Sequence, residues 1–254
     1  MNIIVLAKQT LDTEERILIK DGKVAEDGAK FILNPYDEYA VEEAIRQKEK
    51  NGGRITVLSV GPERSAEALR TALAMGADEA ALISDEGLTD EYGVSLALAA
   101  YVRQHGCDLL LGGSFSVDNG AGQVAVRVAG LLGIPHTSSI TRLEIDGGRA
   151  VVLRDAEGDS ETVEVVLPAL FTAQQGLNDP RYPSLPGIMK AKKKPFRCLQ
   201  LADLGLSEAD VAPRTERTSL SLPPDRPAGR RLSGEPKQQA AQLVRLLQTE
   251  GKLW

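Results

Sequence analysis

Residue types that carry most enzyme chemistry are scarce in this chain. It has two histidines, His105 and His136, and two cysteines, Cys107 and Cys198, far apart in sequence. That usage matches neither a disulfide framework nor metal-ligand spacing, and it suits a reducing compartment, the cytoplasm. Neither histidine has a cysteine or carboxylate at ligand spacing, and no G-x-S-x-G or H-E-x-x-H motif occurs. His105 stands beside Gly106 at an expected helix end, where a cation is favoured. His136 follows Pro135 at a strand entry. The single tryptophan, Trp254, reads as a packing residue, and the acidic run over 155–161 reads as a solvated hairpin turn. Long apolar runs are also missing. Nothing approaches transmembrane length, and residues 1–4 (MNII) lack the basic and apolar regions of a secretory signal, so neither membrane insertion nor secretion is expected. Positive charge is in deficit, with 30 Lys and Arg against 36 Asp and Glu and a formal net charge of −6. A general nucleic-acid binder is normally basic, so no nucleic-acid partner is expected.

What is present is a core. At 254 residues and 42% hydrophobic content, the chain is long enough for one sizeable α/β domain with appendages. Residues 2–7 (NIIVLA) read as a strand buried on both faces. Residues 16–25 alternate around Asp21-Gly22, a two-residue hairpin signal. Asn34-Pro35-Tyr36-Asp37 opens a helix, with Asn as N-cap, Pro in the first turn and acids after it. Its expected inner face is Ala40, Val41, Ala44 and Ile45, with Glu42 and Glu43 elsewhere. Strand and helix then alternate: strands over 55–60, 80–83 and 108–113, helices over 64–75, 91–104 and 123–132. Alternation of this length predicts a doubly wound, mainly parallel sheet.

The pattern changes after Pro135. Strands over 138–145, 150–154 and 162–166, joined by short glycine turns, predict an antiparallel appendage. Residues 168–173 (PALFTA) suit a return to the main sheet. From residue 202 the composition shifts. Pro213, Pro223, Pro224 and Pro227 predict an extended arm over 207–233, closed by a helix over 237–249. Such an arm packs on a partner subunit or folds back on its own domain.

Two strand-to-helix turns are placed to hold a ligand. One is Asn34-Pro35-Tyr36-Asp37; the other is residues 112–124 (GGSFSVDNGAGQV), with four glycines. Such a turn lets backbone N–H groups approach a phosphate while the helix dipole favours the anion. It carries no Walker lysine and does not match G-x-G-x-x-G, so a plain connection remains an equal reading.

Residues 177–195 (LNDPRYPSLPGIMKAKKKP) hold Pro180, Pro183 and Pro186. Prolines at that density predict an extended, pre-shaped loop rather than a regular helix. Leu185 stands between Ser184 and Pro186, ahead of Lys190, Lys192, Lys193 and Lys194. Composition alone describes a stiff, solvated loop. A leucine held out beside lysines also suits docking on another protein, because little order is lost on binding.

This stretch, with residues 34–37 (NPYD), 70–78 (RTALAMGAD), the 113–124 loop and 154–168 (RDAEGDSETVEVVLP), resembles the beta subunits of the electron transfer flavoprotein family. The resemblance covers roughly residues 1–205. It implies a Rossmann-like, adenine nucleotide hydrolase-like domain over 1–205 and an arm over 206–254 that packs on an alpha subunit. It also implies a heterodimer that takes electrons from acyl-CoA dehydrogenases and related flavoenzymes, as in fatty-acid β-oxidation, and passes them to a quinone oxidoreductase. FAD would be held mainly by the alpha subunit, and a structural AMP by this chain. Matched by position, the AMP pocket would use Leu6, Asn34, Pro35, Tyr36, Asp37 and Val60. The loop would add Gly113, Ser114, Phe115, Ser116, Val117, Asp118, Asn119, Gly120, Ala121, Gly122, Gln123 and Val124. Tyr36 matches an aromatic near the flavin. Leu185 matches an anchor that enters a dehydrogenase pocket, flanked by Lys190 and Lys193, and Asp155 matches an acid that pairs with an alpha-subunit arginine. Ser114 replaces a usual cation of the loop, while Asp118 and Gln123 keep their places. FAD would carry the chemistry, so no catalytic constellation is needed in this chain. An electron-bifurcating relative, with a second FAD in the AMP pocket and NADH as donor, is the alternative. A stand-alone nucleotide-binding module or adenylate-using enzyme is a third.

Overall fold

The computed structural model describes residues 1–252 except Asp85, Gly87, Thr89 and Pro227. The packing role expected of Trp254 and the break expected at Pro227 lie outside the described residues. In chain order the strands and helices are β1 (Asn2–Leu6), β2 (Gln9–Leu11), β3 (Ile19–Lys20), β4 (Lys23–Val24), β5 (Phe31–Leu33), α1 (Pro35–Asn51), β6 (Arg54–Gly61), α2 (Ala66–Met75), β7 (Glu79–Ser84), α3 (Glu91–His105), β8 (Leu109–Gly113), α4 (Val124–Leu132), β9 (His136–Asp146), β10 (Arg149–Ala156), β11 (Asp159–Val166), β12 (Ala169–Ala173), α5 (Leu185–Ala191), β13 (Phe196–Leu199) and α6 (Pro236–Thr249).

The main sheet has the order β11-β10-β9-β12-β8-β1-β6-β7-β13. Every neighbouring pair from β9 across to β13 is parallel. The antiparallel hairpins β9-β10 and β10-β11 extend this sheet at one edge. β9 therefore joins the two regions, pairing parallel to β12 on one side and antiparallel to β10 on the other. The hairpin signal at Asp21-Gly22 yields the short β3-β4 pair, with both turn residues at positive φ. β13, which extends the sheet beyond β7, carries no strand signal of its own in the sequence.

Alternation along β1 sorts the core into two layers. Ile3 and Val5 face α1 and α2, where they meet Ala40, Val41, Ala44, Leu69 and Leu73. Ile4 and Leu6 face α3 and α4, where they meet Leu98, Val102, Val128 and Ala129. Burial of apolar strands on both faces is what a doubly wound parallel sheet requires. Among the described residues, no helix is long and apolar enough to cross a membrane.

Three expectations are corrected. Residues 185–191 form α5 rather than an extended loop. Pro186 lies in the first turn, where its missing N–H deprives the helix of nothing, and Ser184 caps the start through Gly187 N (3.1 Å). Glu42 and Glu43, expected away from the inner face, are buried as well. Glu42 is paired with Arg46 and Arg181, and Glu43 accepts from Gln47 (2.8 Å) and Asn178 (3.1 Å). Finally, the arm does not leave the domain at residue 206. Val211 is buried against the α3 side of the sheet, and the chain is bonded to α3 as far as Thr215. α6 follows, with Leu243 and Val244 exposed.

Candidate functional site

The order of the sheet creates the crevice. From β1 the chain winds outward through β6 and β7, then returns to place β8 on the other side of β1. The carboxyl ends of β1 and β8 thus flank a topological switch point, the usual ligand position in open α/β sheets. A cavity of about 290 Å³ opens there. Its apolar wall is formed by Leu6, Leu58, Val60, Leu88, Val94 and Leu98. Its polar rim includes Lys8, Asn34, Ser116, Gln123 and Arg217.

Asp37 holds the two strand ends in register. Its Oδ2 accepts from Lys8 N (2.7 Å), just beyond β1, and its Oδ1 accepts from Gly113 N (3.0 Å), the last residue of β8. Burial pushes this carboxyl up to about 7, against the pull of Asn34, the two backbone N–H groups and the Lys8 cation. Gly113 is required by this contact: a Cβ there would lie 2.4 Å from Asp37 Oδ1 and 2.7 Å from Tyr36 Cβ. Asn34 departs from its expected capping role. Its side chain makes no cap bond and instead clasps the glycine loop, with Nδ2 donating to Phe115 O (3.0 Å) and Oδ1 accepting from Val117 N (3.2 Å).

Most of the expected pocket residues meet at this cavity: Leu6, Asn34, Asp37, Val60, Gly113, Ser114, Phe115, Ser116, Asn119, Ala121, Gly122, Gln123 and Val124 all line it. Pro35, Tyr36, Val117, Asp118 and Gly120 support it from outside the lining. Pro35 starts α1, and Tyr36 lies against Phe115 with ring centroids 4.1 Å apart. Asp118 pairs with Lys8 Nζ (2.7 Å), and Gly120 closes a turn onto Ser116 O (2.7 Å). Ser114 Oγ donates to Ala173 O (2.8 Å) and so ties the loop to β12. Sequence reasoning missed Lys8 and Arg217. Lys8 follows an apolar strand directly, a position that marks it as a strand-end residue. Arg217 has no local signal, because only the fold returns the arm to this crevice.

The lining is compatible with a mononucleotide. The apolar wall suits a base, and the α4 N-terminus and the arginine suit a phosphate. Among the described residues, no group of His, Cys, Asp and Glu is arranged to hold a metal ion. His105 stacks on Tyr101 and its Nδ1 donates to Tyr101 O (2.9 Å) at the end of α3, and His136 begins β9. Cys107 and Cys198 are free. Burial pushes the Cys107 thiol up to about 11, with Asp108 adding to the effect, so it is a poor nucleophile.

A second surface lies on α5. Leu185 is 80% exposed and Met189 72%, with Tyr182 and Ile188 beside them and Lys190, Lys192 and Lys193 exposed at the same end. Lys194 is not part of this basic edge. Its Nζ is turned inward onto Leu73 O (2.8 Å) and Ala77 O (2.5 Å), where it caps α2, and burial lowers its pKa. The stretch before α5 is fixed to α1: Asn178 Nδ2 donates to Tyr39 O (3.0 Å), and Arg181 binds Glu42 and Glu49. Asp155 is exposed on β10, away from both sites.

The family model "Electron transfer flavoprotein domain" matches residues 21–204 of the chain. An electron transfer flavoprotein subunit beta of Bacillus subtilis is 54% identical over 256 residues, covering 100% of both chains. The protein of the same description from Syntrophomonas wolfei is 41% identical, covering 100% of this chain and 98% of its own. The one from Mus musculus is 37% identical, covering 90% and 91%. With a domain match over most of its length and full-length relatives at these identities, the chain belongs to the electron transfer flavoprotein family, among its beta subunits.

Proposed function

We propose that this chain is the beta subunit of a heterodimeric electron carrier in the cytoplasm, that its switch-point crevice holds AMP, and that α5 docks donor dehydrogenases. The observation that carries this reading is Leu185. It is an apolar side chain 80% exposed on a helix whose approach is bonded to α1. Leaving a leucine in water forgoes roughly 1.5–3 kcal/mol of burial, and a pre-ordered helix makes that energy available to a partner. The exposed lysines beside it would speed encounter with an acidic surface.

The crevice residues fit AMP in a structural role. Leu6, Val60 and Leu98 would enclose the base, and Asn34 would fix the loop that faces the phosphate. FAD, held mainly by an alpha subunit, would supply the redox chemistry. This chain would contribute Tyr36 near the flavin and Asp155 toward an alpha-subunit arginine. Residues 1–205, with the segment bonded to α3 as far as Thr215, would form the nucleotide domain, and the chain beyond it with α6 would pack on the alpha subunit. A quinone oxidoreductase would accept the electrons.

Stopped-flow reduction of the heterodimer's flavin by an acyl-CoA dehydrogenase tests the docking reading. Leu185→Ala should weaken the dehydrogenase interaction about tenfold to a hundredfold, with FAD content and Tm unchanged. Unaltered reduction, or loss of the folded heterodimer, would contradict it.

A further inference from the structure

Arg217 lies beyond the α/β domain, yet it lines the same cavity as Leu6 and Gln123. Its place is set by a latch on α3. Asp90, the N-cap of that helix, is 7% exposed. Its Oδ1 accepts from Gly93 N (2.9 Å), the ordinary capping bond. Its Oδ2 accepts from Arg214 N (2.7 Å), Thr215 N (3.1 Å) and the Thr215 hydroxyl (3.3 Å). Burial raises the Asp90 carboxyl, but these donors outweigh it and hold the group below the usual aspartate range. Arg214 stacks over the Tyr92 ring at 4.0 Å and donates to its hydroxyl (2.9 Å). One carboxylate thus caps a helix and fastens a strap, residues 211–217, at the mouth of the crevice.

The charges at that mouth are otherwise committed. Lys8 is balanced by Asp118 at 2.7 Å. Asp90 is used by the strap, and Glu91 accepts from Asn119 Nδ2 (2.8 Å). Arg217 makes no ion pair among the described residues. A guanidinium is a planar, permanently charged donor suited to bidentate phosphate recognition. It stands on the same cavity as the N-terminal residues of α4, whose orphan N–H groups also favour an anion.

We propose that Arg217 binds the phosphate of the nucleotide, so that the C-terminal segment completes the site and selects a nucleoside monophosphate over the bare nucleoside. This inference rests on the nucleotide reading of the crevice. The Asp90 latch positions the arginine, and Ser114, which is bonded to β12, leaves the phosphate end to Arg217 and the helix N-terminus.

The test uses the heterodimer stripped of nucleotide and titrated separately with AMP and adenosine by calorimetry. Arg217→Gln should weaken AMP at least about tenfold, the scale of one charged hydrogen bond, and leave adenosine within about twofold. Arg217→Lys should restore part of the loss, since the charge returns without the fork. Arg217 is exposed, so the variant keeps its fold, which Tm verifies. Equal AMP affinity in wild type and Arg217→Gln overturns the arginine assignment and leaves the nucleotide reading intact. Equal losses for AMP and adenosine overturn a phosphate role. A wild-type heterodimer that binds neither compound overturns the nucleotide reading itself, and the arginine assignment with it.

Discussion

Arg181 and Glu42 meet across 139 positions of sequence, with Arg181 Nε 2.8 Å from Glu42 Oε2. The same carboxylate oxygen accepts from Arg181 N (3.1 Å). Glu42 is 3% exposed, so its charge is held in place by the arginines rather than by water. Burial pushes its carboxyl up, but Arg181 and Arg46 hold it below its ordinary value. The pair ties the segment entering α5 to α1.

Arg181→Ala should therefore act on α5. Arg46 still neutralises Glu42, so the expected loss is about 1–3 kcal/mol rather than that of a bare buried charge. Denaturant titration measures it. Hydrogen exchange should rise over residues 177–191 and remain unchanged in β1 and β8. Protection of α5 equal to wild type would show that the ion pair does not hold the segment.

α5 is seated on α2 through Gly187. A Cβ at that position would lie 2.5 Å from Ala74 O, a backbone atom that cannot swing aside. Gly187→Ala should lift α5 from α2 and cost about 1–3 kcal/mol, as overpacking does. Dehydrogenase-driven flavin reduction should slow while dithionite reduction of the same flavin stays normal. If both rates and the Tm match wild type, α5 is not closely seated.

The buried Asp37 carboxyl predicts a pH effect of definite sign. Its folded value of about 7 lies above the ordinary 3.8, so between these limits the folded chain retains a proton that the unfolded chain releases. Its contribution to stability is therefore greatest below about pH 4, falls as pH rises and levels off above about pH 7. Asp37→Asn should remove this slope, at the expense of one of the two backbone bonds. Urea midpoints for both proteins at a series of pH values across that window measure the difference. Identical slopes would exclude Asp37 as their source.

The alternation of apolar strands and capped helices made the main sheet legible, because a strand such as β1, buried on both faces, has little choice of residue. The crevice was legible only in part: the two strand-to-helix turns marked candidate ligand positions on a par with plain connections, and the family resemblance supplied the residues of the pocket. The helix over 185–191 was not legible, because proline density points away from helix while Pro186 falls in a first turn, where a proline is tolerated. The burial of Glu42 and Glu43 was not legible because their partners, Arg181 and Asn178, lie far along the chain. Lys194 belonged by composition to a basic run, but the carbonyls at the end of α2 claim it. Arg217 was invisible for a related reason. Its position depends on a latch formed by Asp90, and no local pattern connects the two.

The central claim is that this chain holds a structural mononucleotide while its partner holds the redox flavin. The most direct measurement is the cofactor content of the purified heterodimer after denaturation, by absorbance and chromatography of the released compounds. The account predicts one FAD and one AMP per heterodimer. Two flavins without AMP, or one flavin with no nucleotide, would contradict it.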